Sequence, residues 1–157
     1  MKKKKTIPDI CLIGLNHKTA PVELRERLNL GDEALPGFFD TTCAAGVEEI
    51  VFLSTCNRIE VYFTTRDRNE AMEAVIAKLE GLSRVSRRDF EPLLYRKYSR
   101  DAVLHLLTVT ASLDSMVVGE NEIFYQIKNC YGTSVRAQKT GPVLNKLFHH
   151  AFRCGKR

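Results

Sequence analysis

The chain is 157 residues long, 44% hydrophobic and 27% charged, the size and composition of one globular domain that can bury a core without cross-links. No apolar run reaches the roughly 20 residues of a membrane helix, and the basic start at 1–5 leads into Thr6-Ile7-Pro8-Asp9 rather than a signal core, which argues against membrane and secretory classes and for a cytoplasmic setting. The net charge of +5 is uneven: residues 1–122 hold 17 Lys/Arg against 19 Asp/Glu, and residues 123–157 hold seven Lys/Arg and no acid. A one-signed segment of this kind suits a polyanion such as RNA, and equally a solvated helix face or a surface that meets an acidic domain.

Residues 10–15, Ile-Cys-Leu-Ile-Gly-Leu, form a short apolar run that predicts a buried strand. Pro21 opens a helix over 22–28, where Glu-Leu-Arg-Glu-Arg supplies good helix formers, and a second short helix is expected over 32–44. Residues 47–53 and 59–65, rich in β-branched and aromatic types, predict two strands joined by the polar connection Ser54-Thr55-Cys56-Asn57-Arg58. Asn69 is the expected N-cap of a helix to about residue 82, with Ala71, Val75 and Leu79 on one face. The basic residues at 84, 87 and 88 mark a loop, and 93–98 a fourth strand. A helix starting at Ser99 or Asp101 puts Val103, Leu106, Leu107 and Thr110 on one face, and Gly119 interrupts it. Ile123, Ile127, Tyr131 and Val135 then recur every four residues. Gly141-Pro142 restarts a last helix with Leu144, Leu147, Phe148, Ala151 and Phe152 on its apolar face, running to the end of the sequence without a cap. The order predicts an α+β domain: one sheet covered by helices, with a helical C-terminal extension. Residues 1–9 are expected to be a flexible basic terminus and 10–157 the domain proper.

Five cysteines without a C-x-x-C pair fit a reducing compartment and no disulfide framework. His150 and Cys154 stand i, i+4 on the last helix, yet no second ligand pair accompanies them, so no metal is expected. Cys56 differs from the others. It sits in a polar turn beside Arg58, where a thiol is accessible and a guanidinium and free N–H groups favour the nucleophilic thiolate; the competing reading is a small buried hydrophobe. Cys11, Cys43, Cys130 and Cys154 lie in apolar-periodic segments and read as core. His105, among Leu104, Leu106 and Leu107, is either a partner for that thiol or a core histidine. Asp114, Ser115, Glu120, Asn121 and Glu122 cluster around Gly119, as pocket residues or as ordinary caps.

Three longer patterns narrow this. Gly14-Leu15-Asn16-His17-Lys18-Thr19-Ala20-Pro21-Val22-Glu23-Leu24-Arg25-Glu26 resembles the opening signature of glutamyl-tRNA reductases. Ser54-Thr55-Cys56-Asn57-Arg58-Ile59-Glu60 resembles their catalytic motif. His105-Leu106 through Leu113-Asp114-Ser115-Met116-Val117-Val118-Gly119-Glu120 to Gln126-Ile127-Lys128 resembles their third signature. The resemblance implies a ferredoxin-like catalytic domain of an NADPH-dependent enzyme. That enzyme reduces glutamyl-tRNA(Glu) to glutamate-1-semialdehyde, the first step of the five-carbon route to haem. It also implies Cys56 as the nucleophile that forms a thioester and His105 as a histidine needed for activity. Thr55, Asn57, Arg58, Ser115, Glu120, Asn121, Glu122 and Gln126 would hold the glutamyl group, with Arg58 as the carboxylate's partner because its fork binds carboxylates bidentately.

The chain departs from the family pattern at Ser112 (usually Gly), Asn121 (Pro), Glu122 (Gln) and Tyr125 (Gly). The family also continues into an NADPH-binding domain and a helical dimerisation domain. The nine glycines here contain no G-x-G, so both are expected to lie outside this chain, leaving it the acylation chemistry without the reductase step. A homodimer, no membrane association and no metal are implied for the whole enzyme. Two other readings remain at this level: a non-catalytic RNA-binding α+β module resting on the basic C-terminal segment, and a stand-alone cysteine hydrolase resting on Cys56 and His105.

Overall fold

In the computed structural model, which describes residues 7–112 and 122–156, alternation along the strands decides the layering. Strand β1 (Asp9–Asn16) sends Cys11, Ile13 and Leu15 to one face and Leu12 to the other. Strands β2 (Val47–Ser54) and β3 (Arg58–Thr65) do the same with Ile50, Phe52, Val61 and Phe63 against Val51, Leu53 and Tyr62. With β4 (Tyr95–Tyr98) they form a four-stranded antiparallel sheet in the order β2-β3-β1-β4, the ferredoxin-like order. Every residue of β3 is buried, because both faces of this central strand are covered.

On the first face pack α1 (Val22–Leu28), α2 (Leu35–Ala44), α3 (Arg68–Ser83) and the short α4 (Arg87–Phe90), which contribute Leu28, Phe38, Phe39, Val75, Ile76, Leu79 and Phe90 to one core. On the second face α5 (Arg100–Thr110), α6 (Glu122–Arg136) and α7 (Pro142–Gly155) bury Leu106, Val109, Ile127, Leu144 and Phe148 in a separate core. The C-terminal extension expected from the sequence is thus the second cover of the sheet. Among the described residues no helix is long and apolar enough to cross a membrane.

Some local expectations are corrected. The cap of α3 is Asp67, whose side chain accepts from Glu70 N at 3.0 Å; Asn69 is already inside the helix. The stretch read as a loop at 84–88 contains the start of α4, followed by a 3-10 turn over Glu91–Leu93. On α6 the buried stripe turns from Ile127 to Ser134, leaving Val135 43% exposed. Cys154 is exposed and Cys43 half-buried rather than core. The expected interruption at Gly119 falls outside the described residues.

One buried carboxylate joins the second cover to the sheet. Glu49, 7% exposed on β2, accepts from Gly141 N at 2.6 Å and Leu144 N at 2.9 Å at the start of α7, and from the Thr64 hydroxyl at 3.3 Å. It therefore caps a helix 92 residues further along the chain. Beside it, Ile50 N donates to Lys139 O at 2.9 Å, so the approach to α7 lies along the outer edge of β2. Replacing Glu49 by alanine is expected to cost about 1–3 kcal/mol, read as a drop of several degrees in Tm. Glu49→Gln keeps an oxygen acceptor and should lose less. Identical unfolding curves for all three proteins would show the cap to be idle.

Candidate active site

The turn between β2 and β3 is held from three sides. Thr55 N donates to Arg58 O at 3.0 Å and Asn57 N to Thr55 Oγ1 at 3.3 Å, closing the turn on itself. From the end of β1, Asn16 builds a hook: its Oδ1 accepts from Lys18 N at 2.9 Å and its carbonyl from Thr19 N and Ala20 N. That hook delivers His17 N to the Asn57 carbonyl at 2.9 Å. From α1, Arg25 Nη1 donates to the Cys56 carbonyl at 2.7 Å. Cys56 itself is exposed and lines a cleft of about 530 Å³ between α1 and α6, together with Arg25, Thr55, Gln126 and Asn129.

A polar line runs along β3 on the α5–α7 face. Arg58, Glu60 and Tyr62 share that face by the two-residue period of a strand, and all three are buried. Glu60 accepts from Arg58 Nη1 at 3.4 Å and from the Tyr62 hydroxyl at 3.5 Å. His105, on α5, brings Nε2 to within 2.6 Å of Glu60 Oε2. Burial, followed by the nearby Glu60 charge, pushes the Tyr62 phenol well above its usual range. Room for the carboxylate comes from Gly14, opposite Glu60 on β1, where a Cβ would stand 2.7 Å from Glu60 Cγ and from Ile59 O. On the far side of Gly14, the Tyr95 ring lies 5.4 Å from the His105 ring. His105 and Tyr95 line a second cleft of about 410 Å³ with Asn16, Lys97, Asp101 and Thr108.

Residues 13–157 match the family described as Glutamyl-tRNAGlu reductase, N-terminal domain. The chain belongs to this family. It is 39% identical over 150 residues to a glutamyl-tRNA reductase of Cyanothece sp., covering 95% of this chain and 35% of that protein. It is 40% identical over 149 residues to one of Desulfovibrio desulfuricans, covering 95% and 34%. The solved glutamyl-tRNA reductase of Methanopyrus kandleri superposes with a TM-score of 0.75 at 30% identity, over 96% of this chain and 34% of that one. The chain thus spans about a third of the length of the relatives it matches.

Within this reductase-family domain, the residues singled out from the sequence fall into three groups. Cys56, Thr55 and Gln126 share the first cleft. Glu122 is exposed and accepts from Gln126 Nε2 at 3.3 Å, and Asn57 gives its backbone to the turn. Arg58 and His105 meet at Glu60, and His105 opens to the second cleft rather than the first. Arg58 is 1% exposed with its guanidinium on Glu60, so the fork assigned to a substrate carboxylate is engaged by a protein carboxylate here. Ser115, Glu120 and Asn121, with Asp114, lie outside the described residues. No group of three or more His, Cys, Asp or Glu among the described residues is placed to hold a metal ion.

Sequence reasoning passed over two residues of this reductase-family site. Glu60 carried a signal: an acid two positions after Arg58 inside an otherwise apolar strand must find a buried partner. Arg25 carried none beyond its place in the opening motif, since its reach to Cys56 depends on how α1 docks.

The thiols of this reductase-family domain separate by environment. Burial pushes Cys11 up to about 11, and burial also raises Cys43 and, despite its hydrogen bond to Ser54 O, Cys130. Only Cys56 and Cys154 are exposed. Iodoacetamide near neutral pH, followed by peptide mass analysis, is expected to modify Cys56 first and Cys154 second, with the other three slower by about 10-fold or more. Faster modification of Cys43 or Cys130 would remove Cys56 from its place in the site.

Proposed function

We propose that this chain is the catalytic domain of an NADPH-dependent glutamyl-tRNA reductase, and that its own chemistry is acyl transfer. The Cys56 Sγ thiolate attacks the acyl carbon of the glutamyl ester. The bond from that carbon to the ribose oxygen of the tRNA breaks, the oxygen takes up a proton, and glutamate remains on Cys56 as a thioester. The observation that carries this reading is the exposed thiol in a turn fixed by Arg25 and His17 at the mouth of a cleft. A nucleophile held in one place on a rigid scaffold avoids most of the entropic cost of reaching the attack geometry.

His105 is the proposed acid–base group. Its ring is held by the buried Glu60, as a carboxylate orients a working histidine, and it opens to the second cleft, so this role requires the bound substrate to reach from Cys56 to that cleft. Thr55, Asn57, Arg58, Ser115, Glu120, Asn121, Glu122 and Gln126 are proposed to hold the glutamyl group. For Arg58 this requires the substrate carboxylate to share the guanidinium with Glu60 or displace it. In the whole enzyme NADPH would supply the hydride for reduction, a step outside the chemistry assigned to this chain. The residues of this chain do not fit NADPH, since no G-x-G occurs among its glycines, and its binding is assigned to another domain of a longer, homodimeric, cytoplasmic enzyme.

The test is incubation of the chain with glutamyl-tRNA(Glu), acid quench and intact mass. A stable adduct of one glutamyl residue on Cys56 supports the proposal. Sustained release of free glutamate without an adduct would indicate a hydrolase, and RNA binding with no reaction would indicate a non-catalytic module.

A further inference from the structure

The cleft of about 530 Å³ at the β2–β3 turn is lined by two thiols, Cys56 from the turn and Cys130 from α6. The Cys130 thiol donates to the Ser54 carbonyl at 3.5 Å. Ser54 is the last residue of β2 and the foot of the turn, two positions before Cys56. That bond ties a thiol 76 positions further along the chain to the arm that carries the nucleophile. None of the other three cysteines lines this cleft. Cys11 is in the buried part of β1, Cys43 near the end of α2, and Cys154 near the end of α7. The two thiols of the cleft differ in a way that sets an order of reaction. Cys56 is exposed, whereas Cys130 is half-buried and burial raises its pKa despite the bond to Ser54. An oxidant arriving from solvent reacts with the accessible thiolate, so it meets Cys56 first and leaves Cys130 a thiol.

We propose that Cys56 and Cys130 form a reversible disulfide under peroxide, with Cys130 as the resolving thiol that protects the nucleophile. Hydrogen peroxide oxidises the Cys56 thiolate to a sulfenic acid: the O–O bond breaks, Sγ gains a hydroxyl, and the other oxygen leaves as hydroxide and takes up a proton. Cys130 Sγ then attacks Cys56 Sγ. The S–O bond breaks, the hydroxyl leaves as water with the proton of Cys130, and the S–S bond forms. Two electrons pass in all from the thiol pair to the peroxide. A disulfide needs its two Cα atoms within about 7 Å, so the bond draws the turn across the cleft toward α6 and away from Arg25 on α1. Cys56 is then closed both to further oxidation and to acylation, and a dithiol returns it by exchange. The bond itself rests on the shared cleft and the Ser54 contact; only its consequence, the arrest of acylation, rests on the acyl-transfer reading.

The experiment treats the chain with stoichiometric hydrogen peroxide in a Cys154→Ser background, which removes the other exposed thiol. Intact mass and non-reducing peptide mapping read the products. The expected result is the loss of two hydrogens and a peptide pair joining Cys56 to Cys130. Dithiothreitol should then restore nearly all iodoacetamide labelling at Cys56. Cys130→Ala in the same background should lose that recovery, because its Cys56 proceeds to sulfinic and sulfonic acids that dithiothreitol does not reduce. The linked peptide is read in a chain that keeps Cys130, so it does not depend on how the alanine variant folds. The proposal falls if no linked peptide forms, if Cys56 pairs instead with Cys11, Cys43 or a second copy of the chain, or if Cys130→Ala recovers as fully as the parent. Acylation of Cys56 is measured in parallel. A Cys56–Cys130 bond in a chain that never acylates upholds the disulfide and overturns the proposed function; acylation without the bond does the reverse.

Discussion

Cys56→Ser is expected to abolish the glutamyl adduct, lowering the acylation rate by about 10³-fold or more, because a hydroxyl without an activating base is a far weaker nucleophile than a thiol. The side chain is exposed, so the change in stability should stay within about 0.5 kcal/mol, and an unchanged Tm must accompany the loss. His105→Asn is expected to slow the same step by about 10²–10⁴-fold, the range of a positioned acid–base group. If the serine variant forms an adduct as fast as the parent, the acyl transfer belongs elsewhere. If His105→Asn acylates normally but melts lower, the histidine only supports the buried Glu60.

The second large effect concerns Glu60. Its carboxylate is wholly buried and takes Arg58 and His105 together. Glu60→Ala leaves the buried guanidinium without this partner, and breaking such a pair costs about 3–5 kcal/mol. Removing both charges together should cost much less, so the double variant Arg58→Met with Glu60→Leu is expected to recover a large part of the loss. Urea unfolding of the parent, each single variant and the double variant measures the coupling. Additive losses would mean that the two side chains act independently of each other.

The elements whose signal is local were legible in the sequence. The apolar run of β1, the β-branched runs of β2 and β3, the Pro21 start of α1 and the Gly141-Pro142 start of α7 stand where their residues put them. The reading slipped where two neighbours compete for one role, as with Asp67 and Asn69, or where packing rotates a helix, as with Val135 and Ser134. Cys154 was misread because helical period says which residues share a face and not where that face ends. The turn and its thiol could be found from residue types alone. That Arg25 reaches Cys56 while His105 faces Glu60 and a different cleft could not, because those contacts join residues 31 and 45 positions apart and depend on which face of the sheet each helix covers.

The lie of the Lys139 segment along β2 limits how this sheet can grow. An open sheet edge is a template onto which another chain can add a strand. The β2 edge is blocked where Ile50 N is already bonded to Lys139 O, with Glu49 fastening the same connection to the start of α7. The opposite edge, β4, is four residues long and carries Arg96 and Lys97, a short charged border that resists pairing. Neither border therefore favours the addition of a strand from another chain.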